Sequence, residues 1–399
     1  MKIIHVEDFF HPEAGYQINV LSKYQSLQKN EVIIITSEIE KIPNSLTDFF
    51  GRENIKEKDE NFERENGVKI IRLPIHKYIS GRSLYKYGIK KCIDNLKPDI
   101  LYIHGEASIV GLLYMGRYRK LPYPIIFDSH MLEMASKNKF SKLFQVFYKR
   151  IFARIIKKEN IKVIRTQDDD YVERCLGIPL SQAPFISHGT DTNLFKPDKN
   201  IKESFRNRYR ITDNDFVIVY TGKLDDSKGG KFLAETFSTK LLNEKNKNIV
   251  LIVVGNTSGE YGKEVEELFN KSENRILRFP TQKYVDLPPF YQAADLSVFP
   301  KQCSLSFYDA QACGLPVVSE DNNINFDRVQ HHNGFNFIAG DIYDFRKKII
   351  NCIEMDDVEF KQITGNAYNF VKENYNYEII AKNYTNIIIE EVQNYKKRR

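Results

Sequence analysis

A pattern of short apolar runs and helical stretches fills the first half of this chain and then starts again. In the first half the apolar runs fall at 2–6, 32–36, 68–73, 100–104, 124–130, 162–166 and 184–188. Stretches of helical periodicity lie between several of them, at 17–28, 84–95 and 140–158. Runs that are apolar on both faces and alternate with helices belong to a mostly parallel sheet covered on both sides. The second half repeats the scheme, with strands predicted at 216–220, 249–254, 276–279, 296–299 and 316–319. Its helices are predicted near 230–243, 260–271, 288–293 and 305–312. The expected fold is therefore α/β, two Rossmann-like doubly wound domains in succession. Such domains facing one another across a cleft bind ligands outside the carboxyl ends of their strands. The polar, turn-rich join at 188–198 divides the chain into 1–190 and 191–376. A last helix, roughly 377–397, ends in Lys396, Lys397, Arg398 and Arg399, and the segment 377–399 is expected to pack back on the first domain. The charged stretch 51–66 reads as a long surface loop.

Several function classes are excluded by composition. A net charge of +6 over 399 residues is too small to argue for nucleic acid, and no nucleic-acid recognition module is visible, but it suits an anionic ligand or membrane surface. The five cysteines, Cys92, Cys175, Cys303, Cys313 and Cys352, are odd in number and show no CxxC spacing, so a disulfide framework or zinc site is not expected. The N-terminus turns acidic at Glu7 and Asp8, too early for a secretory signal, and no run approaches the ~20 apolar residues of a membrane span. The expectation is a cytoplasmic protein, peripheral at most to the inner face of a membrane.

Chemistry is concentrated in three loops and one turn. The turn, Thr221 to Gly230, follows the strand at 216–220 and carries Gly222, Lys223, Lys228, Gly229 and Gly230 before a helix. A helix N-terminus offers unpaired N–H groups, the lysines add full positive charge, and glycine permits close backbone approach, all of which suit a diphosphate. An ordinary solvated turn carries the same residues, so other signals must decide. A second loop, Phe9 to Gln17, contains Gly15 shortly before a helix; it is not GxGxxG, so a dinucleotide fingerprint is absent. In the third, Ile126 to His130, a strand ends in His130, a position from which a histidine can meet a sugar hydroxyl or a reacting group. The fourth runs from Lys301 through Cys303, Ser304 and Leu305 into a helix bearing Asp309. Its amides at 303–305 would face an anion, and Asp309 could accept hydrogen bonds from a ribose diol.

Taken in order, these pieces resemble the family 4 glycosyltransferases, retaining enzymes of the two-domain GT-B fold. The resemblance covers nearly the whole chain and rests on residues 2–15, on 185–195, on Gly222-Lys223 with Lys228-Gly229, and on 291–318. It implies that Lys223 and Lys228 grip the donor diphosphate, Lys223 standing where the family has Arg. It implies that Gly15 lies in the loop covering the phosphates, that His130 meets the donor sugar near the reacting carbon, and that Arg278-Phe279 belong to the backbone segment that reads the base. Asp309 stands for the second Glu of a Glu-x7-Glu motif. The first Glu falls on Lys301, and the usual Gly-Phe-Gly becomes Gln302-Cys303-Ser304. A lysine cannot accept a hydrogen bond, which implies either a different donor sugar or impaired catalysis.

The activity so implied is transfer of a hexosyl or N-acetylhexosaminyl group from a nucleotide-sugar, UDP-linked by family frequency, to a glycan or lipid-linked saccharide of the cell envelope. No metal or other cofactor is implied. The acidic run Asp168-Asp169-Asp170 fits a helix N-terminus better than a metal site. A catalytically impaired partner subunit, or a sugar-nucleotide epimerase, remains open. The segment 137–165 carries ten Lys or Arg and one acid, Glu159, with interleaved Phe, Ile, Leu and Val. It fits either a domain helix with solvated lysines or a surface resting on anionic lipid.

Overall fold

The structure, a computed structural model, describes residues 1–47, 49–86, 88–130, 141–301 and 304–398. The chain forms two units. Unit 1 comprises residues 1–188 and 377–399, and unit 2 comprises residues 189–376.

Unit 1 is built on strands β1 (Lys2–Glu7), β2 (Glu31–Ser37), β3 (Val68–Leu73), a hairpin β4 (Ile75–Ile79) and β5 (Arg82–Tyr85), then β6 (Ile100–Ile103), β7 (Ile125–Ser129) and β8 (Val163–Arg165). Its parallel sheet has the order β3-β2-β1-β6-β7-β8. Continuous runs such as Val32 to Ile35 are buried on both faces, as a sheet covered by helices on each side requires. The helix Tyr377–Arg398 lies against the helix Gln17–Leu27. There Gln17 Nε2 donates to Tyr384 Oη at 2.6 Å, and the Tyr384 ring stacks on Tyr102 at 6.2 Å.

Unit 2 repeats the plan with β9 (Asp215–Thr221), β10 (Asn248–Val254), β11 (Arg275–Phe279), β12 (Leu296–Phe299), β13 (Val317–Glu320) and β14 (Gly334–Phe337). The order β11-β10-β9-β12-β13-β14 is again all parallel. In both sheets the first three strands wind outward from the centre, and the fourth sheet strand returns beside the first. The point of reversal lies between β1 and β6 in unit 1, and between β9 and β12 in unit 2. Loops diverge at such a point and leave a crevice for a ligand.

Four expectations from the sequence need correction. Residues 51–66 are not a loop throughout: Ile55–Asn66 is a helix. Phe62 supplies its apolar anchor, edge-on to Phe10 at 5.3 Å, while buried Asp59 takes two hydrogen bonds from Arg72 at 2.7 and 2.8 Å. One aromatic and one ion pair seat an otherwise charged helix, too little apolar signal to read as one. The stretch 140–158 is two helices, Ser141–Arg150 and Phe152–Glu159, broken at Ile151. Residues 84–95 hold the end of β5 and the helix Ile89–Leu96. Residues 184–188 form only an isolated bridge, Phe185 to Arg165, because the edge strand β8 is three residues long and offers no longer ladder.

Candidate active site

The lysine-bearing turn of unit 2 follows β9 and is shaped by two glycines. Gly222 has φ +148° and Gly255, after β10, has φ +159°, where a side chain is strained. A Cβ on Gly255 would lie 1.9 Å from the Gly222 carbonyl oxygen, so the two strand ends can meet only as glycines. Beyond them, Asp225 organises the turn. Its carboxylate accepts from Lys228 N at 3.0 Å and Ser227 Oγ at 2.6 Å, and its carbonyl accepts from Gly230 N at 3.1 Å. Gly229 N donates to Asp226 O at 3.2 Å, and Lys231 N donates to Tyr261 Oη at 2.8 Å.

This overturns part of the sequence reading. The amides at the start of the helix Gly230–Thr236 already have partners, so the positive charge of the turn comes from its lysines rather than from unpaired N–H groups. Lys223 is exposed and Lys228 half-buried.

Across the point of reversal, Lys301 follows β12. Its Nζ donates to the Asp226 carbonyl at 3.0 Å and lies 3.6 Å from Asp226 Oδ1. The structure thus joins the β12 loop to the lysine turn and gathers Lys301 with Lys228 at one sheet end. Gln302 and Cys303 lie outside the described residues. Ser304 is half-buried and Leu305 is 43% exposed. Arg328, which the sequence reading missed, fixes this loop by donating to Ser304 O at 2.9 Å while its guanidinium covers the rings of Phe307 and Tyr308. Nothing in local sequence marks Arg328, because its partners lie some twenty residues earlier in the chain.

Asp309 is buried in the helix Ser306–Ala312 rather than exposed on it. Thr190 Oγ1 donates to its Oδ1 at 2.5 Å, and Tyr284 Oη approaches the same oxygen at 3.5 Å. Burial pushes this carboxyl up to about 7, against those two hydrogen bonds and with the nearby charge of Asp191. At the ends of β10 and β11 a groove of about 320 Å³ is lined by Asn256, Thr257, Arg278, Phe279 and Pro280 among others. The Arg278 guanidinium is spent internally, on Glu266 at 2.6 and 3.0 Å and on the carbonyls of Val253 and Gly255. Arg278 therefore shapes the groove.

Unit 1 places Gly15 half-buried in the loop between β1 and the helix Gln17–Leu27. His130 directly follows β7, with 37% of its side chain exposed. Its Nε2 lies 3.2 Å from Asp128 Oδ2, its Nδ1 lies 3.1 Å from Thr166 Oγ1, and its ring stacks on His188 at 5.3 Å. Asp128, fully buried, also accepts from Tyr102 Oη at 2.9 Å and Gly105 N at 2.8 Å. His104 Nδ1 sits 2.7 Å from Asp128 Oδ2, off the line of a straight hydrogen bond. Burial opposes the Asp128 charge, yet the His130 and His104 imidazoles outweigh it and hold the carboxyl well below the usual range. Burial likewise opposes charge on His130, but Asp128 prevails and raises it to about 9. Burial, helped by the Asp128 charge, lifts Glu106 to about 7 and, helped by the Glu7 charge, Asp8 to about 7. The sequence reading found His130 and missed Asp128 two residues before it; an acid inside an otherwise apolar strand was the available signal.

Two consecutive Rossmann-like units with these strand orders are the GT-B fold. Within this chain, residues 215–355 match the family described as glycosyl transferases group 1. A probable sucrose-phosphate synthase of Thermosipho melanesiensis is 23% identical, over 96% of this chain and 92% of that protein. A lipopolysaccharide 1,2-N-acetylglucosaminetransferase of Salmonella typhimurium is 25% identical over 54% of this chain and 57% of that one. Among solved structures, Anabaena HepE in complex with UDP and glucose superposes with a TM-score of 0.71 at 18% identity, covering 98% of this chain and all of that one. A glycosyltransferase from Rickettsia africae gives 0.74 at 16% identity, covering 98% and 99%. The chain is thus a glycosyltransferase.

Proposed function

We propose that this glycosyltransferase moves a hexosyl or N-acetylhexosaminyl group from a UDP-sugar to a hydroxyl of a glycan or lipid-linked saccharide in cell-envelope polysaccharide synthesis, with retention at the anomeric carbon and no need for a metal. The observation that carries the reading is the tie between Lys301, after β12, and Asp226 in the turn that bears Lys223 and Lys228, at the point of reversal in unit 2; the helix that follows Lys301 holds the buried carboxyl of Asp309. The lysines neutralise charge growing on the departing diphosphate, work that a metal ion does elsewhere. Asp309 Oδ2 takes the ribose hydroxyls, with Oδ1 held by Thr190. The main chain at Arg278-Phe279 and the amides of Ser304 and Leu305 complete the donor site. Gly222 gives the diphosphate close access in unit 2; in unit 1 the resemblance assigns donor roles to Gly15 and His130. The UDP base draws support from HepE, whose structures hold UDP and UDP-glucose.

A membrane-borne acceptor is supported by the helix Ser141–Arg150. Leu143, Val146 and Phe147, with Ile151 just after it, are 71, 46, 46 and 44% exposed, and the first three share one helix face. Lys142, Lys149, Arg150, Arg154, Lys157 and Lys158 surround them in sequence and are exposed. Apolar side chains amid cations fit the inner, anionic leaflet of a plasma membrane; residues 137–140 of this segment lie outside the described residues. No helix among the described residues is long and apolar enough to cross a membrane.

The test is UDP, GDP or ADP release from a panel of nucleotide-sugars in EDTA, with and without bacterial lipid extract. Release from one UDP-sugar that depends on the extract is expected. Nucleotide binding without release from any donor, and activity restored by a second protein, would instead favour the impaired partner subunit that Lys301 motivates.

A further inference from the structure

Behind His130 runs a line of buried polar side chains that the proposed reaction does not use. Gln25 Oε1 lies 2.8 Å from His5 Nε2, His5 Nδ1 lies 3.0 Å from His104 Nε2, and His104 Nδ1 reaches Asp128. His5 and Gln25 are wholly buried. Protons along this line can be placed by counting donors and acceptors.

Asp128 accepts only, so His104 carries its proton on Nδ1 and offers a lone pair at Nε2. His5 must then donate from Nδ1 and keep a lone pair at Nε2. Burial, with the neighbouring His104, pushes His5 down to about 3, so it is neutral. A lone pair at His5 Nε2 needs a donor, and the Gln25 amide supplies one from Nε2 when its two ends are exchanged. The line therefore points one way, from Gln25 through His5 and His104 to Asp128.

At the far end the count gives a different result. Thr166 Oγ1 lies 3.0 Å from Ser129 O and 3.1 Å from His130 Nδ1; donating to the carbonyl, it accepts from the imidazole. His130 Nε2 faces the Asp128 carboxylate, which also only accepts. Both ring nitrogens of His130 thus carry protons. His130 then keeps no lone pair for a metal ion, and the lone pair of His104, on Nε2, is taken by His5, although their ligand atoms and that of Asp128 lie close together.

We infer that His130 serves as a locked imidazolium, a fixed positive charge at the carboxyl end of the unit 1 sheet that neither gives nor takes a proton, and that Asp128 and His104 are its positioning residues. Its ligand is an anionic group of the substrate, whose charge it opposes. This rests on the transferase reading for its use, but not for its protonation. The charged or titratable groups around it are Asp128, His104, Glu7 and Glu106, with His188 stacked on the ring.

The experiment begins with nitrogen-15 NMR of the full chain, which needs no turnover. His130 is expected to show two protonated nitrogens from pH 6 to 8, and His5 one, on Nδ1. In Asp128→Asn, thermal melting checks the fold, and His130 is expected to titrate at lower pH. The rate of Asp128→Asn should then fall as pH rises through that value, with kcat rather than KM affected, while the wild type stays flat. His130→Lys, which keeps the charge, should retain about a hundredfold more kcat than His130→Gln. A neutral His130 at pH 7, a stoichiometric metal in the purified protein, or equal activity of the Lys and Gln variants would overturn the inference. Correct protonation with nucleotide bound but no donor turned over would leave the locked cation standing and sink the transferase reading instead.

Discussion

The two units share a strand order and place their polar residues at the same topological point, yet the chemistry there is opposite. In unit 2 the reversal between β9 and β12 carries lysines on a glycine-bounded turn, with Lys223 and Lys301 open to solvent. In unit 1 the reversal between β1 and β6 leads inward. His5 and His104 are buried, and their interactions terminate on a carboxylate and one half-exposed imidazole. The fold fixes where a ligand can be met, and the loop residues fix whether it meets mobile charge or rigid charge. Mobile lysines can follow a phosphate as it departs. An imidazolium held by Asp128 and Thr166 is already oriented, and so reorganises little when charge develops.

The comparison breaks most readily at the lysines. Lys228→Ala is expected to lower kcat/KM by about a hundredfold, as loss of one charge-stabilising donor does in other enzymes, with unit 1 unaffected in a thermal melt. Unchanged turnover would remove the diphosphate role of the turn.

Next in size is Gly255→Ala. A methyl group 1.9 Å from the Gly222 carbonyl must push β9 and β10 apart, at a cost of about 3 kcal/mol. The loss should appear as a lower melting temperature and weaker UDP binding. A variant as stable as the wild type would mean that the close approach of the two strand ends is not a constraint.

The smallest effect sharpens the contrast through pH. Asp309 is raised to about 7 from an ordinary 3.8, so its contribution to stability is complete below 3.8 and is lost as pH rises through 7. Donor binding should run the other way, because the ionised carboxylate is the better acceptor for ribose hydroxyls. The Kd of a UDP-sugar, whose diphosphate stays fully ionised, should fall a few-fold between pH 6 and 8. Asp309→Asn should flatten that dependence; an unchanged slope in the variant would assign the titration to another group.

Most of the sheet was legible in the sequence because a strand buried on both faces leaves an unbroken apolar run. The strands at 68–73 and 296–299 appear with the bounds expected. The edge strand β14, Gly334–Phe337, was not read, since edge strands are short and half-exposed and leave no such run. The helix Ile55–Asn66 escaped for a related reason, its burial resting on Phe62 and an ion pair to Arg72, which is thirteen residues beyond Asp59. At the site, residues that advertise themselves locally were found: lysines beside glycines, and a histidine ending a strand. Those whose role depends on a distant partner were not, including Arg328 on Ser304, Gly255 against Gly222, and His5 behind His104.

The sequence by itself determined the two-fold repeat of the α/β plan, the loops that carry charge and the family resemblance, because apolar periodicity and turn chemistry act over a few residues. Only the tertiary structure decided that the turn amides are already satisfied, that Asp309 is buried against Thr190, and that His130 is held as a cation. Those outcomes depend on which donors and acceptors meet after the chain has folded, and hydrogen bonding and desolvation are set by neighbours in space rather than neighbours in sequence.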